Sequence, residues 1–163
     1  MKTETQRKEL FDTILAKYSP MIDKICYMYG SDEEQRKDLY QECMANVWQG
    51  LRSYRGDSQI STWLYRACIN TCITCYRRNR HSNEMISIDD AGQVAADDRS
   101  RPDELRELYR MISALSPVDR GIIMMWLDEK SYDEISVVTG MPRNTVASRI
   151  RRIKNRLVEM SNS

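Results

Sequence analysis

Trp63, Arg66, Asn70, Thr74 and Arg77 recur at three- and four-residue intervals within the segment YRGDSQISTWLYRACINTCITCYRR, which starts at Tyr54. At about 100° per residue, these side chains share a wedge of roughly 80° on one side of a helix. Leu64, Cys68, Cys72 and Cys75 fall on another side. A ring, an amide and cations placed together suit unpaired nucleic acid, because rings stack on bases, amides bond base edges and cations track phosphates. Arg78 and Arg80 extend the positive end. The preceding loop, Arg55, Gly56, Asp57, Ser58 and Gln59, would lie beside the strip and could wall a pocket for an extruded base. A half-buried packing role for Trp63 and simple solvation of Asn70 would account for the same residues, so this helix alone leaves both readings open.

A second basic surface closes the chain. Ser131 with Glu134 forms a capping box that starts a short helix carrying Ile135 and Val138. Gly140 suits the left-handed position that stops it, and Pro142 suits the first turn of the next helix. A short helix, a glycine turn and a second helix describe a helix-turn-helix. Val146, Ile150, Ile153 and Leu157 form the buried stripe of the second helix, so Arg143, Asn144, Thr145, Ser148, Arg149, Arg151, Arg152, Lys154 and Arg156 face outward. Cations crowded on one helix repel one another unless an anion lies alongside, which points to duplex DNA.

The elements that carry these surfaces follow from periodicity. Leu10, Phe11, Ile14, Leu15 and Tyr18, then Ile22, Ile25, Cys26 and Tyr29, predict an amphipathic helix over residues 5 to 29, bent or broken near Pro20. Gly30 ends it, and Ser31 with Glu34 reads as the capping box of the next helix. There Leu39, Cys43, Val47 and Leu51 form an apolar face opposite Asp38, Gln41, Glu42, Gln49 and Arg52. From Arg80 to about Pro102 the pattern stops, and Asp, Ser and Asn dominate. Beyond it, Leu105, Leu108, Ile112 and Leu115 mark a helix, and Ser116-Pro117 opens another with Ile122, Ile123, Trp126 and Leu127. The expected architecture is all-α: two small helical domains, residues 1–80 and 104–163, joined by a flexible linker at 81–103, the second domain being the helix-turn-helix.

The totals narrow the function. With 163 residues, 41% hydrophobic and 30% charged, the chain is globular, and two small helical domains are viable at that length. No run is long enough for a transmembrane helix, and MKTETQRKEL lacks the apolar core of a signal peptide, so a cytoplasmic location without membrane insertion is expected. The five cysteines are an odd number and all lie in helical patterns, which favours reduced thiols over a disulfide framework. Cys68, Cys72 and Cys75 with His81 form a conceivable zinc set, but three thiolates along one helix flank fit a tetrahedron poorly. No metal or other cofactor is therefore expected. One histidine, no glycine-rich phosphate loop and no nucleophile–base pair leave no catalysis to assign.

Taken together, Asp38-Leu39-Tyr40-Gln41-Glu42, then Trp48, then YRGDSQISTWLYRACIN, and finally Asn144-Thr145-Val146-Ala147-Ser148-Arg149-Ile150 after Pro142 resemble the bacterial extracytoplasmic-function (ECF) sigma factors. The resemblance spans nearly the whole chain, with its motifs in order. It implies an initiation factor whose first domain binds the clamp helices of the RNA polymerase beta-prime subunit through Asp38, Gln41, Glu42 and Trp48. The same domain would hold the non-template strand of the minus-ten element with Arg55 to Gln59, Trp63, Arg66, Asn70, Arg77 and Arg78. A base would be captured between that loop and Asn70. The resemblance further implies a second domain that docks on the beta flap and places Arg143, Asn144, Thr145, Ala147, Ser148, Arg149, Arg151 and Arg152 at the minus-thirty-five element, and an anti-sigma factor as a partner. Many relatives carry Arg or Lys where this chain has Ala147, which cannot hydrogen-bond a base edge. The alternative is a helix-turn-helix regulator that binds duplex DNA without being a polymerase subunit.

Overall fold

The computed structural model describes residues 2–81 and 102–163. Among the described residues there are seven helices and no strand: α1 (Glu4–Tyr29), α2 (Glu33–Gly50), α3 (Ile60–His81), α4 (Asp103–Ser113), α5 (Pro117–Leu127), α6 (Tyr132–Thr139) and α7 (Arg143–Ser161). The all-α expectation holds, with α1–α3 forming one helical unit and α4–α7 the other. Most of the linker expected at 81–103 lies outside the described residues, while its end positions His81 and Asp103 belong to α3 and α4.

Helix α1 is continuous through Pro20, so of the bend or break expected there the break does not occur. Pro20 sits on the exposed side, while Ile14, Ile22 and Ile25 bury the opposite face on both sides of it. Packing on that face holds the helix together across the missing N–H. Thr3 and Gln6 form a capping box at its start.

The start of α2 also differs from expectation. Its N-cap is Asp32, which accepts from the Gln35 N–H at 2.7 Å. The Gln35 side chain in turn accepts from the Ser31 N–H at 2.6 Å. Asp caps as well as Ser does, so the frame shifts by one residue and Glu34 is left out. Gly30 is required by space: a Cβ there would lie 2.5 Å from Arg36 Cγ.

In the first unit, Leu39, Cys43 and Val47 of α2 with Leu51 at its C-cap meet Leu64, Cys68, Cys72 and Cys75 of α3, all buried as their spacing implies. In the second, the Ser131–Glu134 capping box is complete and Gly140 adopts φ 75°, the left-handed turn expected between α6 and α7. Val146, Ile150 and Ile153 are buried beneath α7. Helix α5 buries more than the Ile122 and Ile123 read from its sequence, and not all of the residues named there. Ile122, Ile123, Met124 and Met125 are buried together with Arg120 and Gly121, while Leu127 is exposed. A helix that is apolar nearly all round is a buried helix, and α5 is one because it packs on α7 within its own unit and on α1 and α3 of the other.

Candidate polymerase and nucleic-acid interface

Helix α3 has three faces. One, Leu64, Cys68, Cys72 and Cys75, closes the core of the first unit. A second meets the C-terminal unit: Tyr65 Oη donates to Asp128 Oδ2 at 2.6 Å and Thr62 Oγ1 to Glu134 Oε2 at 2.9 Å. Ile69 lies against Gly121, where a Cβ would come within 3.1 Å of Ile69 Cγ2. The third face carries Arg66, Asn70, Thr74 and Arg77, all exposed, with Trp63 half-buried at its start. The exposed strip expected from spacing is therefore present, but the helix has one more task than its periodicity reveals.

Trp63 is seated rather than free. Its ring centroid is 5.1 Å from that of Tyr54. A Cβ on Gly50 would lie 2.9 Å from its Cζ2, so the last residue of α2 must be glycine for the indole to sit where it does. Tyr54 Oη donates to the Ser58 carbonyl at 2.8 Å, which folds the Arg55–Gln59 loop back onto the same aromatic pair. Gly56 turns that loop at φ 79°. Neither Gly50 nor Tyr54 was singled out from the sequence, because each acts through the tertiary position of Trp63.

Farther along α3, Asn70 borders a groove of about 300 Å³ lined also by Glu42, Asn46, Thr71, Thr74 and Arg78. Asn46 Nδ2 donates to Thr71 Oγ1 at 2.8 Å, which in turn donates to the Ala67 carbonyl at 2.7 Å. The wall beside Asn70 thus comes from α2. The Arg55–Gln59 loop precedes α3 and stands at the Trp63 end of the strip. Arg78 is tied down, with its guanidinium 3.8 Å from Glu42 Oε1 and bonded to Cys75 Sγ at 3.3 Å.

On the neighbouring face of α2, Asp38, Gln41 and Glu42 are exposed together. Trp48 is held by α1: the Arg7 guanidinium stacks 3.7 Å from its ring centre, Arg7 Nε donates to its carbonyl at 2.9 Å, and Phe11 meets it edge-on at 5.3 Å. Arg7 is buried by this contact.

In the second unit, Arg143, Asn144, Thr145, Arg151, Arg152, Lys154 and Arg156 are exposed on α7, while Ala147 and Ser148 are half-buried. Two arginines are engaged within the unit: Arg143 Nε is 3.1 Å from Asp133 Oδ1, and Arg149 Nε is 3.3 Å from Asp119 Oδ1. The Arg149 pair is largely shielded, with side-chain exposures of 16% and 20%, so Arg149 braces α7 against α5 instead of facing fully outward.

The two units are joined through α5. Tyr29 Oη donates to the Pro117 carbonyl at 2.6 Å, and Arg120 donates to the carbonyls of Met28 at 2.8 Å and Leu115 at 3.0 Å. Burial pushes the Tyr29 and Tyr65 hydroxyls well above the ordinary phenol range, so both stay protonated as donors. Among the described residues, the zinc set considered from sequence is not brought together. Cys72 faces Cys43 and Cys26, Cys75 faces Arg78, and the His81 side chain lies outside the described residues.

The family model for Sigma-70 region 2 matches residues 14–82, and that for Sigma-70, region 4 matches residues 105–157. The chain is 29% identical over 161 residues to the RNA polymerase sigma-H factor of Pseudomonas aeruginosa, covering 90% of this chain and 83% of that protein. It is 29% identical over 163 residues to the ECF RNA polymerase sigma-E factor of Escherichia coli, covering 90% and 84%. Its fold is similar to that of the sigma factor RpoE in complex with the anti-sigma factor NepR from Bartonella quintana, with a TM-score of 0.74 at 20% identity over 93% of this chain and 96% of that one. CnrH in complex with the cytosolic domain of CnrY gives a TM-score of 0.69 at 19% identity, over 95% and 89%. With the two sigma regions falling in order on the two helical units, the chain belongs to the sigma-70 family and is of its extracytoplasmic-function type.

Proposed function

We propose that the chain binds core RNA polymerase and directs it to promoters, with residues 1–80 serving the polymerase and the minus-ten element and residues 104–163 serving the minus-thirty-five element. The observation that carries this reading is the exposed strip of Arg66, Asn70, Thr74 and Arg77 on α3 in a chain that also holds a capped helix-turn-helix with a basic second helix. A duplex-only regulator has no use for the first of these surfaces.

In the proposed division of labour, Asp38, Gln41 and Glu42 meet the beta-prime clamp helices, with Trp48 setting the α1–α2 angle beneath them. Trp63, Arg66, Asn70 and Arg77 grip the separated non-template strand, the Arg55–Gln59 loop lies at one end, and Arg78 adds charge at the other. The exposed residues of α7 enter the major groove, led by Asn144, Thr145, Arg151 and Arg152, while the domain docks on the beta flap. Ala147 contributes shape and apolar contact instead of a hydrogen bond to a base. The role is binding and positioning, not catalysis. Among the described residues no helix is long and apolar enough to cross a membrane, which supports action in the cytoplasm. An anti-sigma factor is proposed as a further partner, since the similar RpoE structure holds the anti-sigma factor NepR and the CnrH structure holds the cytosolic domain of CnrY.

Transcription in vitro with purified core polymerase tests the proposal. A promoter-directed transcript that depends on this chain is expected. No transcript, together with tight binding of free duplex by the chain alone, would identify a regulator instead.

A further inference from the structure

Three cysteines from three helices meet in the core of the first unit. Cys26 of α1, Cys43 of α2 and Cys72 of α3 are 2% exposed or less. The sulfurs of Cys26 and Cys72 each lie 3.9 Å from that of Cys43. All three sulfurs fall within 4.8 Å of one another, and among the described residues no histidine, carboxylate or fourth cysteine joins the group. None of them belongs to the polymerase or promoter surfaces proposed above.

The dimensions fit one kind of guest. An ion bound in the plane of three sulfurs at about 2.3 Å, the usual metal–thiolate distance, holds them about 4.0 Å apart. Zinc would need a fourth ligand, and the buried cluster offers none. Soft ligands limited to sulfur select copper(I) among common metal ions.

A buried cation also stands nearby. Arg120, 2% exposed, reaches across from the C-terminal unit, donates to the Met28 carbonyl two residues after Cys26, and has a buried Nε without a hydrogen-bond partner. Metal-bound cysteines are thiolates, so a guest must displace protons.

We propose that Cys26, Cys43 and Cys72 form a three-sulfur site for a single copper(I) ion in the core beneath the polymerase and promoter surfaces. Copper(I) enters with loss of the three thiol protons and no change of oxidation state. Three thiolates around the ion leave a net charge of −2, of which the Arg120 guanidinium offsets one unit. The ion ties α1 to α2 and α3, whose outer faces carry Asp38, Gln41, Glu42 and Asn70.

The test uses the reduced full chain under anaerobic conditions, with copper(I) supplied as its acetonitrile complex and then challenged with the chelator bathocuproine disulfonate. Stoichiometric copper retention is expected for the native chain and for Cys75→Ala, with a loss of about tenfold or more in Cys43→Ala. X-ray absorption of the loaded native chain provides a readout independent of whether that variant folds, and a shell of three sulfurs is expected. No retained copper, retention unchanged in a folded Cys43→Ala, a shell with nitrogen or oxygen ligands, or zinc(II) held in preference to copper(I) would overturn the proposal.

Discussion

The exposed strip of α3 and the outer face of α7 are both polar and basic, yet they are held in place by different means. Helix α7 is supported on one side by its own unit: a left-handed glycine turn precedes it, Val146, Ile150 and Ile153 anchor it, and Arg149 braces it through Asp119. Helix α3 is supported on two sides by two different units, and only its remaining third faces solvent. Its first aromatic residue depends further on Gly50 and Tyr54. One surface is a local construction, whereas the other depends on tertiary packing.

The largest expected effect comes from the joint between the units. Arg120→Ala leaves the Met28 and Leu115 carbonyls without their donor and opens a cavity, so unfolding in urea should show a loss of about 3–4 kcal/mol. A loss under about 1 kcal/mol would mean that the α5 joint contributes little. Gly50→Val pushes into the Trp63 ring and should cost about 1–3 kcal/mol, with a changed Trp fluorescence spectrum. An unaltered spectrum would show that the indole does not rely on that gap.

Gly140→Val strains the turn before α7 by about 1–2 kcal/mol and should weaken duplex binding more than polymerase binding, measured by titration with each. Equal losses would deny the separation of the two surfaces. On the first unit, Asp38→Arg should weaken core polymerase binding while leaving thermal stability within about 0.5 kcal/mol, since Asp38 is exposed. Unchanged polymerase binding would remove that face from the interface.

The smallest effect concerns acid. The Glu134 carboxylate accepts from the Ser131 backbone N–H and from Thr62 Oγ1 and lies 3.6 Å from Lys130 Nζ, which together hold its pKa below the ordinary glutamate value. A depressed folded-state pKa stabilises the fold above the unfolded value, and that contribution is lost as pH falls through the folded one. Glu134→Gln should therefore flatten the acid side of the stability curve by at most about 1 kcal/mol. A curve of unchanged slope would show that the carboxylate is not linked to folding.

What the sequence made legible tracks the same division. The α6–turn–α7 unit was readable almost residue by residue, because a capping box, a left-handed glycine and an apolar stripe are all encoded within a few positions. The exposed strip on α3 was readable for the same reason. The face of α3 that carries Tyr65 and Ile69 toward the other unit was not, since their partners, Asp128 and Gly121, are more than fifty residues away in sequence. Arg120 was not singled out and Arg149 was assigned wholly to the DNA-facing surface, because the carbonyls against the one and the carboxylate against the other come from distant or separate elements. The three-cysteine cluster escaped because the sequence invites pairing within one helix, whereas the fold draws one thiol from each of three.

Promoter opening followed with a fluorescent base analogue in the minus-ten non-template strand, using Asn70→Ala holoenzyme, tests the central claim most directly. Asn70 is exposed, so its loss should leave the fold and core polymerase binding intact while reducing opening by about tenfold, the worth of one base-edge contact. Opening at the native level, or a matching fall in polymerase binding, would contradict the assignment of this strip to the separated strand.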